Sequence, residues 1–374
     1  MANTAKVIFS DTGRDANLLY WTGISVIDPF LALEGEGRRL AIIHGLERDR
    51  LRQHSRFDGV HLWEDFLTPK ERNWPVFQKI PSVLLRLQKD YGFTHWQLPS
   101  SFPAAVLIRL QERGLSFEVL PDPFLPERAI KGEEEIAELR RAAAITSEAM
   151  ALAREILLRS EIAADGGLVF EGKPLSSEFL KESIELFCFQ RGALAENTIA
   201  AGGAQSGQPH GEGQGNLHAH RPIVVDLFPR LKSSGYWGDM TRTFLRGEPS
   251  PQQQKLYDAV LEAHRRSVAQ VREGASAAEI HNRNIAFFEA EGWPLRISPE
   301  GCTGFIHNTG HGIGLDIHEE PRLGQGAGRL AQNMVITVEP GLYYPEGGVR
   351  IEDTLLVCEE KGEKLTEGGY DWVL

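Results

Sequence analysis

Apolar and polar positions change their rhythm along the chain. Over the first 120 residues, short apolar runs such as Leu40–Ile43 and Phe117–Leu120 alternate with helical periodicity over 76–91 and 104–113. This half reads as a small α/β domain. Pro121, Pro123 and Pro126 follow in quick succession, and proline's fixed φ and missing donor suit neither a helix nor a strand there. A boundary is expected in that segment, with an N-terminal domain over 1–125 and a second domain over 133–374. The second opens on Glu133, Glu134 and Glu135, then Ile136, Leu139, Ala143, Ile145 and Met150, the mark of a long helix with an acidic first turn. Those three carboxylates suit the helix dipole and are given no catalytic role. From residue 194 onward, glycine-rich loops separate short strands predicted over 223–228, 241–245, 334–339 and 349–357. Helices are expected at about 252–272 and 277–290. The second domain is therefore α+β, with helices grouped around a largely antiparallel sheet.

Composition narrows the function. A chain of 374 residues suits two folding units, enough to bury about 75% of the unfolded surface without covalent staples. Hydrophobic residues at 41% and charged residues at 25% are ordinary for a globular protein, and no apolar stretch is long enough to span a bilayer. The first residues lack a secretory pattern, so the cytoplasm is the expected compartment. Cys188, Cys302 and Cys358 are too scattered for a disulfide framework or a CxxC site. Fifty-two acids against forty Lys and Arg give a net charge of −12, which repels phosphate backbones. Neither nucleic acid nor membrane is an expected partner.

The informative feature is a set of acids where strands should be apolar. In Ile223–Phe228, alternation puts Val224, Asp226 and Phe228 on one face, and an unpaired buried carboxylate is costly. Asp239 follows Gly238 after a loop with Ser233, Ser234 and Gly235 that could close a hairpin on Asp226. His311 lies among Gly310, Gly312 and Gly314, which allow close backbone approach. The spacing fits neither HExxH nor a dinucleotide fingerprint. Glu339 ends an apolar strand before Pro340 and Gly341, while Arg350, Glu352 and Thr354 share one face of the last strand. Each acid taken singly has a structural alternative, such as an Arg350–Glu352 ion pair. Four clustered acids, however, repel one another unless cations neutralise them. Oxygen-rich ligation with one imidazole suits two divalent ions, Mn²⁺, Co²⁺ or Zn²⁺, and two metals sharing a water point to hydrolysis.

These motifs, in this order, resemble the pita-bread metallopeptidases (family M24), and within them the prolidases and Xaa-Pro aminopeptidases. The motifs are Val225-Asp226, Gly238-Asp239 with Thr241-Arg242-Thr243, Gly310-His311-Gly312 through His318-Glu319, Glu339-Pro340-Gly341 and Arg350 through Thr354. The resemblance runs from about residue 133 to the end, and the first half is similar to a creatinase-type domain through Asp15 to Gly23. It implies a pita-bread catalytic domain behind a smaller N-terminal α/β domain. It also implies that Asp226 and Asp239 hold one metal, that His311 binds the other, and that Glu339 and Glu352 contact both. Manganese is the expected ion, with cobalt or zinc as alternatives. Glu339 would take a proton from the bridging water, whose hydroxide attacks an Xaa-Pro bond in a dipeptide or at a peptide's N-terminus. His210 would assist near the scissile bond, His318 would contact substrate and intermediate, and Arg350 would orient a carboxylate on the substrate-binding side. A homodimer assembled through the N-terminal domain is implied as well.

His218 and His220 belong to no family motif and read as a solvated loop, and Ser206 lacks the G-x-S-x-G spacing of a nucleophile elbow. The chain departs from the family at Phe228-Pro229-Arg230, where Asp-x-Gly is usual, and its loop to Asp239 is longer. That hairpin bears on substrate size and on the strictness of the proline requirement. Two other functions fit the same architecture: a creatinase-like C–N hydrolase without metal, and a non-catalytic binding module. Five intact ligand positions weigh against both.

Overall fold

A computed structural model describes residues 3–299 and 301–374. The chain divides into two compact units, Met1–Pro126 and Glu127–Leu374, and the division falls in the proline-rich segment. In the first, a six-stranded mixed sheet runs in the order Gly59–Leu62, Arg38–Ile43, Phe30–Gly35, Thr4–Ser10, His95–Pro99, Phe117–Leu120. Strand alternation supplies two faces. Val7, Leu33 and Ile42 pack with Ile80, Leu84 and Val106 from the helices Val76–Tyr91 and Ala104–Glu112, while Ile8, Ala32 and Ala41 pack with Trp21 and Leu51 on the other side.

The second unit opens on the helix Glu133–Arg159, whose first turn is closed by Glu135 Oε2 accepting from Gly132 N at 3.0 Å. Three antiparallel strands, Ile199–Gly202, Ile223–Leu227 and Met240–Phe244, form one sheet, with Ile223–Leu227 central and buried throughout. A second sheet runs Glu319–Leu323, Gly310–Gly312, Val335–Val338, Asp353–Leu356, Glu363–Lys364, every pairing antiparallel. The helices Ser177–Gln190, Pro251–Val268 and Ala277–Ala290 complete an α+β unit. Among the described residues, no helix is long and apolar enough to cross a membrane.

Two strands differ from expectation. The stretch expected as one strand over 349–357 is two, Gly347–Arg350 in a hairpin with Gly341–Tyr344 and Asp353–Leu356 in the five-stranded sheet. The chain changes sheets at Ile351 and Glu352, whose N–H groups donate to the carbonyls of Pro340 (3.5 Å) and Thr241 (3.0 Å). The other strand stops at Val338, so Glu339 stands just past its end.

Gly238 sits where the hairpin before Asp239 presses on the long helix. A Cβ there would lie 2.2 Å from Thr146 Oγ1 and 2.8 Å from Ala142 O, and the backbone oxygen cannot yield. Gly238→Ala is therefore expected to cost about 1–3 kcal/mol through overpacking. A urea midpoint unchanged from wild type would refute this close packing.

Candidate metal centre

The register of the central sheet sets the site. Asp226 pairs with Thr241, so Asp239, two residues before Thr241 and just ahead of its strand, is a diagonal neighbour on the same face. The two aspartates do not stand directly opposite one another. Glu352 enters from the crossover between sheets and accepts the Thr241 hydroxyl at 2.7 Å on Oε2. His311 comes from the Gly310–Gly312 strand, where a Cβ at Gly310 would meet Thr337 O at 2.0 Å, so only glycine lets that backbone close on its neighbour. Glu339 is pinned by its N–H donating to Thr309 O at 2.7 Å.

All five residues meet in one place. His311 Nε2 lies 3.4 Å from Glu339 Oε1 and 3.6 Å from Asp239 Oδ2. Asp239, His311 and Glu352 each offer a ligand atom within 4.8 Å of the others. Burial raises the Asp239 carboxyl well above its ordinary value, and Glu352, Asp226 and Glu339 push it further. Burial likewise raises Glu352, helped by Glu339 and Asp226, and lifts Glu339 to about 8 even against the opposing Arg350 charge. His311 moves the other way, to about 3, through burial and the neighbouring His318, so its ring is neutral.

The donor set asks for cations. His311 Nδ1 contacts Gly312 O at 3.1 Å, and a carbonyl can only accept, so Nδ1 carries the hydrogen and Nε2 turns its lone pair toward the two carboxylates. Asp226 Oδ1 is buried with no hydrogen-bond partner. Buried side by side, these carboxyls resist ionisation, as their raised values show, and an orphaned buried oxygen is costly. Divalent ions resolve both, and hard oxygen donors with one imidazole suit them.

Around the acids, Arg350 is buried and committed: Nη2 donates to Asp226 Oδ2 at 2.7 Å, Nε to Thr241 Oγ1 at 3.2 Å, and Nη1 to Tyr343 OH at 2.8 Å and Pro209 O at 3.3 Å. It stands behind Asp226 and orients that carboxylate. His318 and His210 are both exposed. The His318 ring meets His311 edge-on at 4.3 Å between centroids; packing around it, then the nearby His210, lowers its pKa. His218 lies outside the cluster in an isolated bridge to Gly167, and His220 engages the Glu248 backbone.

Two residues without a role in the sequence reading stand here. Tyr343, held up to about 12 by burial, bridges Arg350 to His307 Nε2 at 2.9 Å. Burial, then the Arg350 charge, hold His307 down to about 3. Only the four-residue step from His307 to His311 hinted at it.

Buried acids and a neutral imidazole on glycine-lined antiparallel sheets define a metal-dependent hydrolase of the pita-bread architecture. Residues 137–359 match the model of metallopeptidase family M24, and the chain belongs to that family and is a peptidase. A Pyrococcus horikoshii protein named Xaa-Pro dipeptidase is 32% identical over 312 residues, spanning 80% of this chain and 81% of the relative. A Pyrococcus furiosus Xaa-Pro dipeptidase is 34% identical over 67% of each chain. The solved structure of prolidase from Pyrococcus furiosus superposes with a TM-score of 0.79 at 26% identity, over 98% of this chain and 97% of that one.

Proposed function

We propose that this protein cleaves the peptide bond before proline, in Xaa-Pro dipeptides or at the N-terminus of longer peptides, with two divalent ions and Mn²⁺ as the favoured metal. Asp226 and Asp239 would hold one ion, His311 the other, and Glu339 and Glu352 would contact both. One observation above all supports this: the orphaned Asp226 Oδ1 and the His311 Nε2 lone pair face the same cluster of buried acids. The relatives named Xaa-Pro dipeptidase support the proline preference.

When bound, such ions would supply Lewis acidity that activates a water and polarises a carbonyl. The chain's own groups do the rest. Glu339, at the end of its strand, takes the proton from the attacking water and passes it to the departing proline nitrogen. Exposed His318, resting on the His311 ring, donates to the carbonyl oxygen as negative charge develops. His210 acts from the same exposed side, and Arg350 keeps Asp226 aimed at the centre. Proline suits a dedicated site because its tertiary amide lacks an N–H and isomerises slowly.

Trp237 ties the unusual Phe228-Pro229-Arg230 hairpin to the histidine loop, donating from N to Gly314 O at 3.0 Å and from Nε1 to Leu315 O at 3.1 Å. This hairpin would shape the substrate end of the site. A cytoplasmic setting belongs to the same reading, and the family resemblance supports a homodimer.

Metal removal tests the whole reading. Protein stripped of metal is expected to lose Xaa-Pro hydrolysis and to regain it with Mn²⁺, with little cleavage of proline-free controls. Equal cleavage of the controls would overturn the proline preference, and no cleavage with Mn²⁺, Co²⁺ or Zn²⁺ would overturn the proposed reaction.

A further inference from the structure

Between the strands Gly310–Gly312 and Glu319–Leu323, the loop carrying His318 has no ladder of its own. Trp237 holds its first half through the carbonyls of Gly314 and Leu315. Its second half is held by charge. The Glu319 side chain is 9% exposed and accepts Arg128 Nη2 on Oε2 at 2.6 Å and Lys131 Nζ on Oε1. Arg128 Nη2 also reaches Asp316 Oδ2 at 2.8 Å, and Lys131 Nζ reaches back to Arg128 O at 2.5 Å. Lys131 is 2% exposed and Arg128 8%. Gly314 makes room for the carboxylate, since a Cβ there would stand 2.5 Å from Glu319 Oε1.

Two buried cations on one carboxylate are a poor device for stability alone, because apolar side chains of similar volume would avoid the desolvation cost. Their geometric effect is specific. Glu319 begins a strand, and His318 is the last residue of the loop before it. Fixing the Glu319 carboxylate therefore fixes the end of the loop from which His318, its immediate neighbour, projects, and with it the direction of the His318 ring. That direction is the one that seats His318 on the metal-ligand candidate His311.

We propose that Glu319, clamped by Lys131 and Arg128, is a positioning residue that aims His318 into the reaction centre, so that the segment leading into the long helix takes part in organising the site. This rests on the proposed substrate-facing role of His318. It adds three residues that touch neither the metals nor the substrate.

The test is a mutant cycle on the manganese-loaded full chain, with Glu319→Gln made in both the wild-type and His318→Ala backgrounds and kcat and KM measured on an Xaa-Pro dipeptide. If the triad acts through His318, Glu319→Gln lowers kcat by about tenfold to a hundredfold with KM little changed. The same substitution in the His318→Ala background then changes kcat by less than about twofold. Equal losses in both backgrounds would overturn the proposal. A second readout needs no turnover: carbethoxylation of His318 by diethyl pyrocarbonate, followed by mass spectrometry, with exposed His54 as internal control. A released ring is expected to react at least about threefold faster in Glu319→Gln; an unchanged rate would overturn the proposal. If the wild-type protein cleaves no Xaa-Pro substrate, the functional reading falls and the carbethoxylation rate alone decides the positioning role. Should Glu319→Gln fail to fold, the pair Lys131→Met/Glu319→Gln, which leaves no uncompensated lysine, carries both measurements.

Discussion

Glu339→Gln is expected to lower kcat for Xaa-Pro cleavage by about 10²–10⁴-fold while KM stays close to wild type. Glutamine preserves the size of the side chain and one carbonyl oxygen, and the Glu339 N–H bond to Thr309 O does not involve the side chain at all. What it removes is the ability to accept a proton. Glu339 Oε1 faces His311 Nε2 at 3.4 Å, so the substitution could also weaken metal binding. Metal content measured on the same preparation separates the two causes. Retained metal with lost kcat assigns Glu339 to proton transfer, whereas full activity in the variant would sink that assignment. His311→Ala is the contrasting case, since it deletes the one nitrogen donor and should lower metal content and activity together.

The site was legible because its residues break local rules. A carboxylate inside the all-buried run Ile223–Leu227, an acid at the end of Val335–Val338 and glycines around His311 are each a poor choice for packing alone. Conflicts of that kind are visible in one dimension. The helix over 76–91 was equally visible, since its apolar period needs no distant partner. What stayed hidden depended on tertiary hydrogen bonds. The period-2 pattern through Val349–Val357 is continuous, yet the strand breaks at Ile351 and Glu352 because Pro340 O and Thr241 O capture their N–H groups. Arg350 is expected to orient a carboxylate on the substrate-binding side, but its seat among Asp226, Thr241, Tyr343 and Pro209 is built from four separate segments that no local pattern joins. The links from Tyr343 to His307 and from Lys131 to Glu319 span 36 and 188 positions, and no local pattern records either.

Asp353→Ala is expected to destabilise the catalytic unit by about 3–5 kcal/mol, read as a lowered urea midpoint. Asp353 is fully buried and accepts Arg242 Nη2 at 2.8 Å and the Thr366 hydroxyl at 2.8 Å on Oδ1, and the Tyr370 hydroxyl at 2.6 Å on Oδ2, with His264 Nε2 at 3.2 Å. Burial pushes its carboxyl up, but His264 and the Arg242 charge outweigh that and hold it below the usual range, so it is ionised in the folded protein. Removing it strands a guanidinium that is 2% exposed. Arg242→Leu/Asp353→Ala should therefore be less destabilised than Asp353→Ala alone, because no unpaired charge remains. A double variant that falls by the sum of the single losses would refute the coupling. The same guanidinium reaches the metal centre: Arg242 Nη1 donates to Glu352 O at 2.6 Å and Thr241 O at 2.9 Å, and the Thr241 hydroxyl bonds the Glu352 carboxylate. Metal affinity should therefore weaken in Asp353→Ala even at denaturant concentrations where the protein remains folded, since the backbone that presents Glu352 has lost the charge pair behind it.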